Sequence, residues 1–229
     1  MIYLLVFLMS AVSLDTETSV KKLNPNINAK NLETVSTIVN NRAKLYGFAQ
    51  SDYPLILSMI KKESNFSHIY GKHGEVGMLQ VIPEDSHVLT IISKISCEKT
   101  DKYCGGDGLP DVYTGSKLNS FKARRFISEH PKYALETGFG EMQYWKLQYE
   151  NRLKQKYWTK FPEWYLKNNL DNYNERVNNL KWWWTNLTTK AGDLVWISHY
   201  NWGNRMSTAL SSRNYALQVL NFKAQLEEL

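Results

Sequence analysis

Glycine, proline and cysteine are all scarce in this chain of 229 residues, at 12, 6 and 2 respectively. The shortage of glycine leaves no phosphate-cradling loop. Neither GxxxxGK[ST] nor GxGxxG occurs, so the sequence indicates no nucleotide. The shortage of cysteine excludes a disulfide-dense mini-protein. The single pair, Cys97 and Cys104 in CEKTDKYC, lacks the second ligand pair of a structural zinc site. Asp101, Asp107 and Asp111 lie nearby, but not at the spacing of a calcium-binding loop. They read as solvated loop residues, and the sequence points to no metal and no cofactor. Long apolar runs are missing except for Ile2 to Met9, which falls short of the roughly 20 residues that span a bilayer. Strand-like alternation is nearly absent, and there are no internal repeats.

What is present fits a soluble globular domain. Hydrophobic residues make up 43% and charged residues 22%, both near the average for that class. The length suits one domain with sizeable insertions. Aromatics reach 13%, with 8 Trp and 14 Tyr. Such rings often line sugar sites, although most are expected in the core. Lys and Arg number 28 against 22 Asp and Glu, a net charge of +6. That balance favours anionic partners, among them nucleic acid, lipid headgroups and the acidic peptides of a bacterial wall. The basic residues are spread along the chain and no helix-turn-helix pattern is visible, so no nucleic-acid partner is expected.

The amino-terminal stretch MIYLLVFLMSAVS, residues 1–13, has an apolar core followed by Ala11 and Ser13 at a small-x-small spacing. This is the layout of an export signal and predicts a periplasmic or cell-envelope protein. The first Lys is Lys21, so the usual positive leading region is absent, and a buried terminal helix or strand is the alternative. In an exported protein Cys97 and Cys104 are expected to form one disulfide clamping a loop; in a cytoplasmic one they are free thiols. Residues 14–30 are polar, carry Pro25 and read as a linker before a domain over 31–229.

Apolar residues in that domain recur at three and four, which predicts a mainly α fold. Helices are expected from Asn31 to about Tyr46, from near Asp52 to Ser64, and over 85–95, 132–149 and 191–200. A last one is expected to follow a cap at Ser212. Pro54 suits the first turn of the second. Residues 96–120 read as irregular. Glu63 falls at the end of the second helix, where the partial negative charge of the helix terminus disfavours a carboxylate. Partial burial would raise its pKa further, as a general acid requires. An exposed Glu beside Lys61 and Lys62 is the plainer reading of helix position alone.

Four segments in order change that balance. Glu63-Ser64-Asn65-Phe66 closes a helix. Gly77-Met78-Leu79-Gln80-Val81-Ile82-Pro83 follows a loop. Tyr200-Asn201-Trp202-Gly203 and Arg213-Asn214-Tyr215 come near the end. Together they resemble the soluble lytic transglycosylase (SLT domain) family of the lysozyme-like superfamily, with Leu and Met exchanged in the second segment. The resemblance covers residues 55–83 and about 194–220. It touches 135–145, where Ala134 stands in the family's Asn position. It does not extend to 84–132 or 150–190, which read as helical insertions forming substrate-facing lobes or a docking surface for a cell-envelope protein.

The resemblance implies a lysozyme-like catalytic domain that cleaves the β-1,4 bond between N-acetylmuramic acid and N-acetylglucosamine in peptidoglycan glycan strands, leaving a 1,6-anhydro end. It makes Glu63 the catalytic acid and then base. It assigns Ser64 to the N-acetyl group or to the Glu63 carboxyl, Gln80 to the sugar amide, and Met78 and Leu79 to an apolar wall. Tyr200 would place its hydroxyl near Glu63, Asn201 would brace the cleft, and Tyr215 would pack beside it. The family uses no second carboxylate. Glu75 is the only other acid between Glu63 and Gln80, and it reads as a solvated loop charge. If it faces the cleft, a muramidase-type hydrolysis returns. A glycan-binding module without activity is the remaining alternative.

Overall fold

The computed structural model describes residues 15–100, 119–154, 193–202 and 210–228. Within them every regular element is a helix, as the periodicity predicts. These are α1 (Thr16–Leu23), α2 (Ala29–Arg42), α3 (Tyr53–Ser64), α4 (Ser86–Thr100), α5 (Ser120–Glu129), α6 (Pro131–Lys154), α7 (Asp193–Trp202) and α8 (Leu210–Glu227). Two 3-10 turns, Ala43–Tyr46 and Gln50–Asp52, join α2 to α3. Isolated bridges pair Tyr70 with Val76 and Val76 with Val81. Among the described residues no helix is long and apolar enough to cross a membrane.

Helix α3 is buried from Tyr53 to Ile60 without a break. A helix apolar on all sides belongs in a core, and α8 and α1 both pack against it. Pro54 is tolerated because the first-turn N–H groups have no partner within the helix. Inside the run, Ser58 Oγ donates to the Pro54 carbonyl at 2.6 Å. The helix stops at Asn65, which turns left-handed at φ 52°, and Phe66 follows at φ 64°. Asn accepts that conformation readily, whereas a bulky side chain there costs about 1–2 kcal/mol. Burial of the whole Phe66 ring offsets this by about 1.5–3 kcal/mol.

Helix α6 is the second buried axis, with every residue from Ala134 to Met142 out of solvent. It packs against α4, α7 and α2. Gly138 brings its backbone onto the segment after α3: a Cβ there would lie 2.4 Å from Leu79 Cδ1. Glu136, only 1% exposed, is neutralised by Arg42. The guanidinium donates to Oε1 from Nε at 2.8 Å and from Nη2, and the Tyr46 hydroxyl donates to the same oxygen at 3.1 Å. A buried ion pair with several hydrogen bonds fixes how two elements meet; here it locks the end of α2 to α6.

Two expectations are corrected by these elements. The polar stretch 14–30 is not only a linker, since it forms α1, capped by Asp15, with Val20 and Leu23 in the core. Alternation of polar and apolar residues over two short turns was too brief a period to show in the sequence. Asn24, just after α1, donates from Nδ2 to the Asn65 carbonyl at 3.0 Å and so holds the left-handed turn. Helix α4 continues to Thr100, through residues read as irregular. In its described parts the segment 84–132 packs into the main core through Val88 and Ile92 of α4 and Ala123 and Ile127 of α5. Cys97 is also buried and is not a free thiol. Its expected partner Cys104, the signal over 1–13 and most of the insertion over 150–190 lie outside the described residues.

Leu23→Ala separates a core helix from a linker. It is expected to destabilise the protein by about 2–5 kcal/mol, the usual loss for a buried Leu, in urea unfolding followed by circular dichroism. A linker residue would leave the midpoint unchanged.

Candidate active site

Glu63 stands in the last turn of α3, one residue before the buried Ser64. It keeps an intermediate share of its surface open, yet its carboxyl is pushed up to about 7. Desolvation by the surrounding core is the largest cause. The negative charges of Glu141 and Glu75 act in the same direction, while a hydrogen bond from Tyr215 and the charge of Lys62 oppose it. The Tyr215 hydroxyl donates to Glu63 Oε1 at 2.5 Å. Burial raises the Tyr215 phenol well above its ordinary value, so it remains a donor at neutral pH.

The segment Gly77–Pro83 is tied to the end of α3 and to α7, so it is held from two sides. Ser64 Oγ donates to the Met78 carbonyl at 2.8 Å, and the Tyr200 hydroxyl donates to the Leu79 carbonyl at 2.6 Å. Met78 and Leu79 are both buried, as an apolar wall requires. Gln80 follows with a left-handed backbone, φ 50°. Its Nε2 donates to the carbonyls of Gly77 at 2.6 Å and Ile69 at 3.2 Å. The preceding loop closes on itself, with the His73 N–H donating to Glu75 Oε2 at 2.8 Å. Gly71 packs closely here: a Cβ would sit 2.2 Å from that same oxygen and 2.7 Å from Gln80 Oε1, and these two side-chain ends would have to move.

The structure thus gathers Glu63, Ser64, Met78, Leu79, Gln80, Tyr200 and Tyr215, but it redistributes their tasks. The expected roles of the two tyrosines are exchanged. Tyr215 on α8 makes the bond to Glu63, while Tyr200 on α7 is a backbone tie. Ser64 is likewise occupied with Met78 rather than open to a sugar. Gln80 commits its amide N–H groups to the loop and leaves only its oxygen side facing Glu75 and Gly71. Asn201 is exposed. Gly203 lies outside the described residues. Glu75 is half-buried and tied into its loop, not a freely solvated charge.

Glu141 is the residue that the sequence reading missed. It lies on α6, is 7% exposed, and its charge acts on Glu63, Tyr200 and Tyr215. Its own carboxyl is raised by burial, against the opposing pull of His87 and Trp145. A signal existed. Ala134, Gly138, Glu141 and Trp145 recur at four, three and four, so an acid falls on a stripe that otherwise faces inward.

No known protein family, curated protein or solved structure matches the chain.

The raised carboxyl of Glu63 has a measurable cost. Its folded value of about 7 lies above the ordinary 4.5. The folded state therefore holds the proton more tightly between those values, and stability falls as pH rises across that window. Glu63→Gln removes the titration and keeps the Tyr215 hydrogen bond. The variant should match the parent in thermal melts near pH 4.5 and exceed it at pH 8, by at most ~3 kcal/mol. A constant difference at both pH values would place the carboxyl in an ordinary solvated setting.

Proposed function

We propose that the chain is a peptidoglycan lytic transglycosylase, cleaving the N-acetylmuramic acid to N-acetylglucosamine β-1,4 bond with formation of a 1,6-anhydro end. The observation that carries this reading is Glu63, a carboxyl raised to about 7 at the end of a buried helix, with a buried phenol donating to it. A group with that value is partly protonated at neutral pH and serves as acid and then as base. Glu63 protonates the glycosidic oxygen as the C1–O bond breaks. The N-acetyl group of the muramic sugar stabilises the cation at C1. The Glu63 carboxylate then takes the proton of the C6 hydroxyl as that oxygen bonds to C1, and no water is consumed. Tyr215 holds Oε1 in place through both transfers.

A hydrolytic glycosidase places a second carboxylate across the bond from the acid. Among the described residues, the two acids whose charges reach Glu63 are poor candidates. Glu75 is bonded to the His73 N–H, and Glu141 is buried against His87 and Trp145. This favours the internal C6 hydroxyl over water as the nucleophile. The proposal includes export to the periplasm or cell envelope through residues 1–13, a Cys97–Cys104 disulfide, and glycan strands as the partner.

Purified sacculi digested by the protein should release anhydro-muropeptides, read by mass spectrometry. Reducing ends labelled from heavy-oxygen water would establish a muramidase instead, and no release a binding module. Glu63→Gln should lower release by on the order of a hundredfold or more. The two tyrosines separate the roles further. Tyr215→Phe removes a hydrogen bond to a charged group, about 1.5–3 kcal/mol, and should slow turnover roughly ten- to a hundredfold with little change in melting. Tyr200→Phe should act mainly on stability, by about 1 kcal/mol, through the freed Leu79 carbonyl. Equal rates for Tyr215→Phe and the parent would remove Tyr215 from the reaction.

A further inference from the structure

Helix α6 carries two buried acids, and only one of them has an ordinary counter-charge. Glu136 is met by the Arg42 guanidinium. Glu141, nearly as deeply buried, has no Lys or Arg recorded against it among the described residues. What faces it are the Trp145 ring, which hydrogen-bonds the carboxyl, and His87, with Nε2 3.6 Å from Glu141 Oε1. That last separation is too long for an N–H···O hydrogen bond. His87 Nε2 is itself out of solvent and without a hydrogen-bond partner. Asp85 lies two residues earlier, just before α4, and offers a third ligand atom. The three ligand atoms of Asp85, His87 and Glu141 all lie within 4.8 Å of one another.

We propose that Asp85, His87 and Glu141 form a binding site for a divalent transition-metal ion, zinc in the first instance, joining α4 to α6. Buried carboxylates without a paired cation are the groups that coordinate metals. One imidazole and two carboxylates form a donor set that zinc accepts. The spacing fits as well: ligand atoms about 2.1 Å from a tetrahedral ion lie about 3.4 Å apart, close to the 3.6 Å between His87 and Glu141. Asp85 is exposed, so its side chain can close the small remaining distance and leaves a side of the ion open to water.

The imidazole is held in place for this task. It stacks on Tyr144 with ring centres 4.3 Å apart and planes 14° from parallel, and the Trp145 ring stands edge-on at 5.6 Å. Both rings belong to α6, so the helix that supplies Glu141 also orients His87. Oriented ligands lose less freedom on binding a metal, and partners around a ligand tune its affinity. The three ligands are distinct from Glu63, although the charge of Glu141 acts on its carboxyl, and the site does not require the reaction proposed above.

The test uses the purified full-length chain after treatment with a chelator. Titration with zinc chloride in a calorimeter should show one site, and zinc should raise the melting temperature, as any ligand of the folded state does. Cobalt(II) in its place should give the visible absorption of a low-coordinate His-carboxylate site. Asp85→Asn lies on the surface and leaves the core intact, so it tests the site even if a variant in α6 fails to fold. It should weaken zinc at least tenfold, and His87→Gln should abolish the cobalt band. Absence of zinc binding by the parent chain would overturn the proposal. So would binding that survives unchanged in both variants, which would place the ion on other histidines.

Discussion

The hydrogen bond from Tyr215 to Glu63 joins the last described helix to the end of α3, and much of the remaining structure is needed to make it possible. Its acceptor must be held in a poorly hydrated place, which requires α3 to be sheathed on every side. Helices α1 and α8 supply part of that sheath. The helix must also stop directly after Ser64, so that the carboxyl emerges at a surface and not in mid-core. The left-handed pair Asn65 and Phe66 achieves this. Asn24 from the far end of α1 braces the turn through the Asn65 carbonyl.

A second set of constraints fixes the segment tied to the end of α3. Adjacent carbonyls, those of Met78 and Leu79, accept from Ser64 and Tyr200, side chains on two different helices. The segment between them can hardly shift without breaking one tie. Gly138 brings α6 into contact with the same Leu79. Among the described residues the non-glycine positions with positive φ are Asn65, Phe66 and Gln80, and all three border this one site. Backbone strain of that kind persists where surrounding contacts over-determine it, and it concentrates at functional sites.

The two buried acids of α6 show how similar local sequence leads to different chemistry. Glu136 and Glu141 are five residues apart on one helix, and both face inward. The first is neutralised by an arginine from α2 and acts as a structural clamp. The second meets an imidazole held by two aromatic rings, and its charge reaches the Glu63 carboxyl. The difference lies largely in what the neighbouring helices bring to each position, Arg42 to the first and His87 to the second.

The sequence by itself determined the mainly α class, because apolar spacing at three and four residues is a property of local chain geometry. It also marked α3, with Pro54 at its start and Glu63 at its end, and the short run Gly77–Pro83, since these are contiguous patterns. Helix α1 escaped notice because two turns hold too few apolar residues to display a period. The exchange of roles between Tyr200 and Tyr215 was decided only by tertiary structure. Both are buried tyrosines on inward helix faces, and which hydroxyl reaches Glu63 depends on how α7 and α8 pack, not on either residue's neighbours in the chain. Glu141 belongs to the same class. A buried charge is recognisable only when the elements that bury it are in place, and residues 85, 87 and 141 share no local pattern until α4 lies against α6.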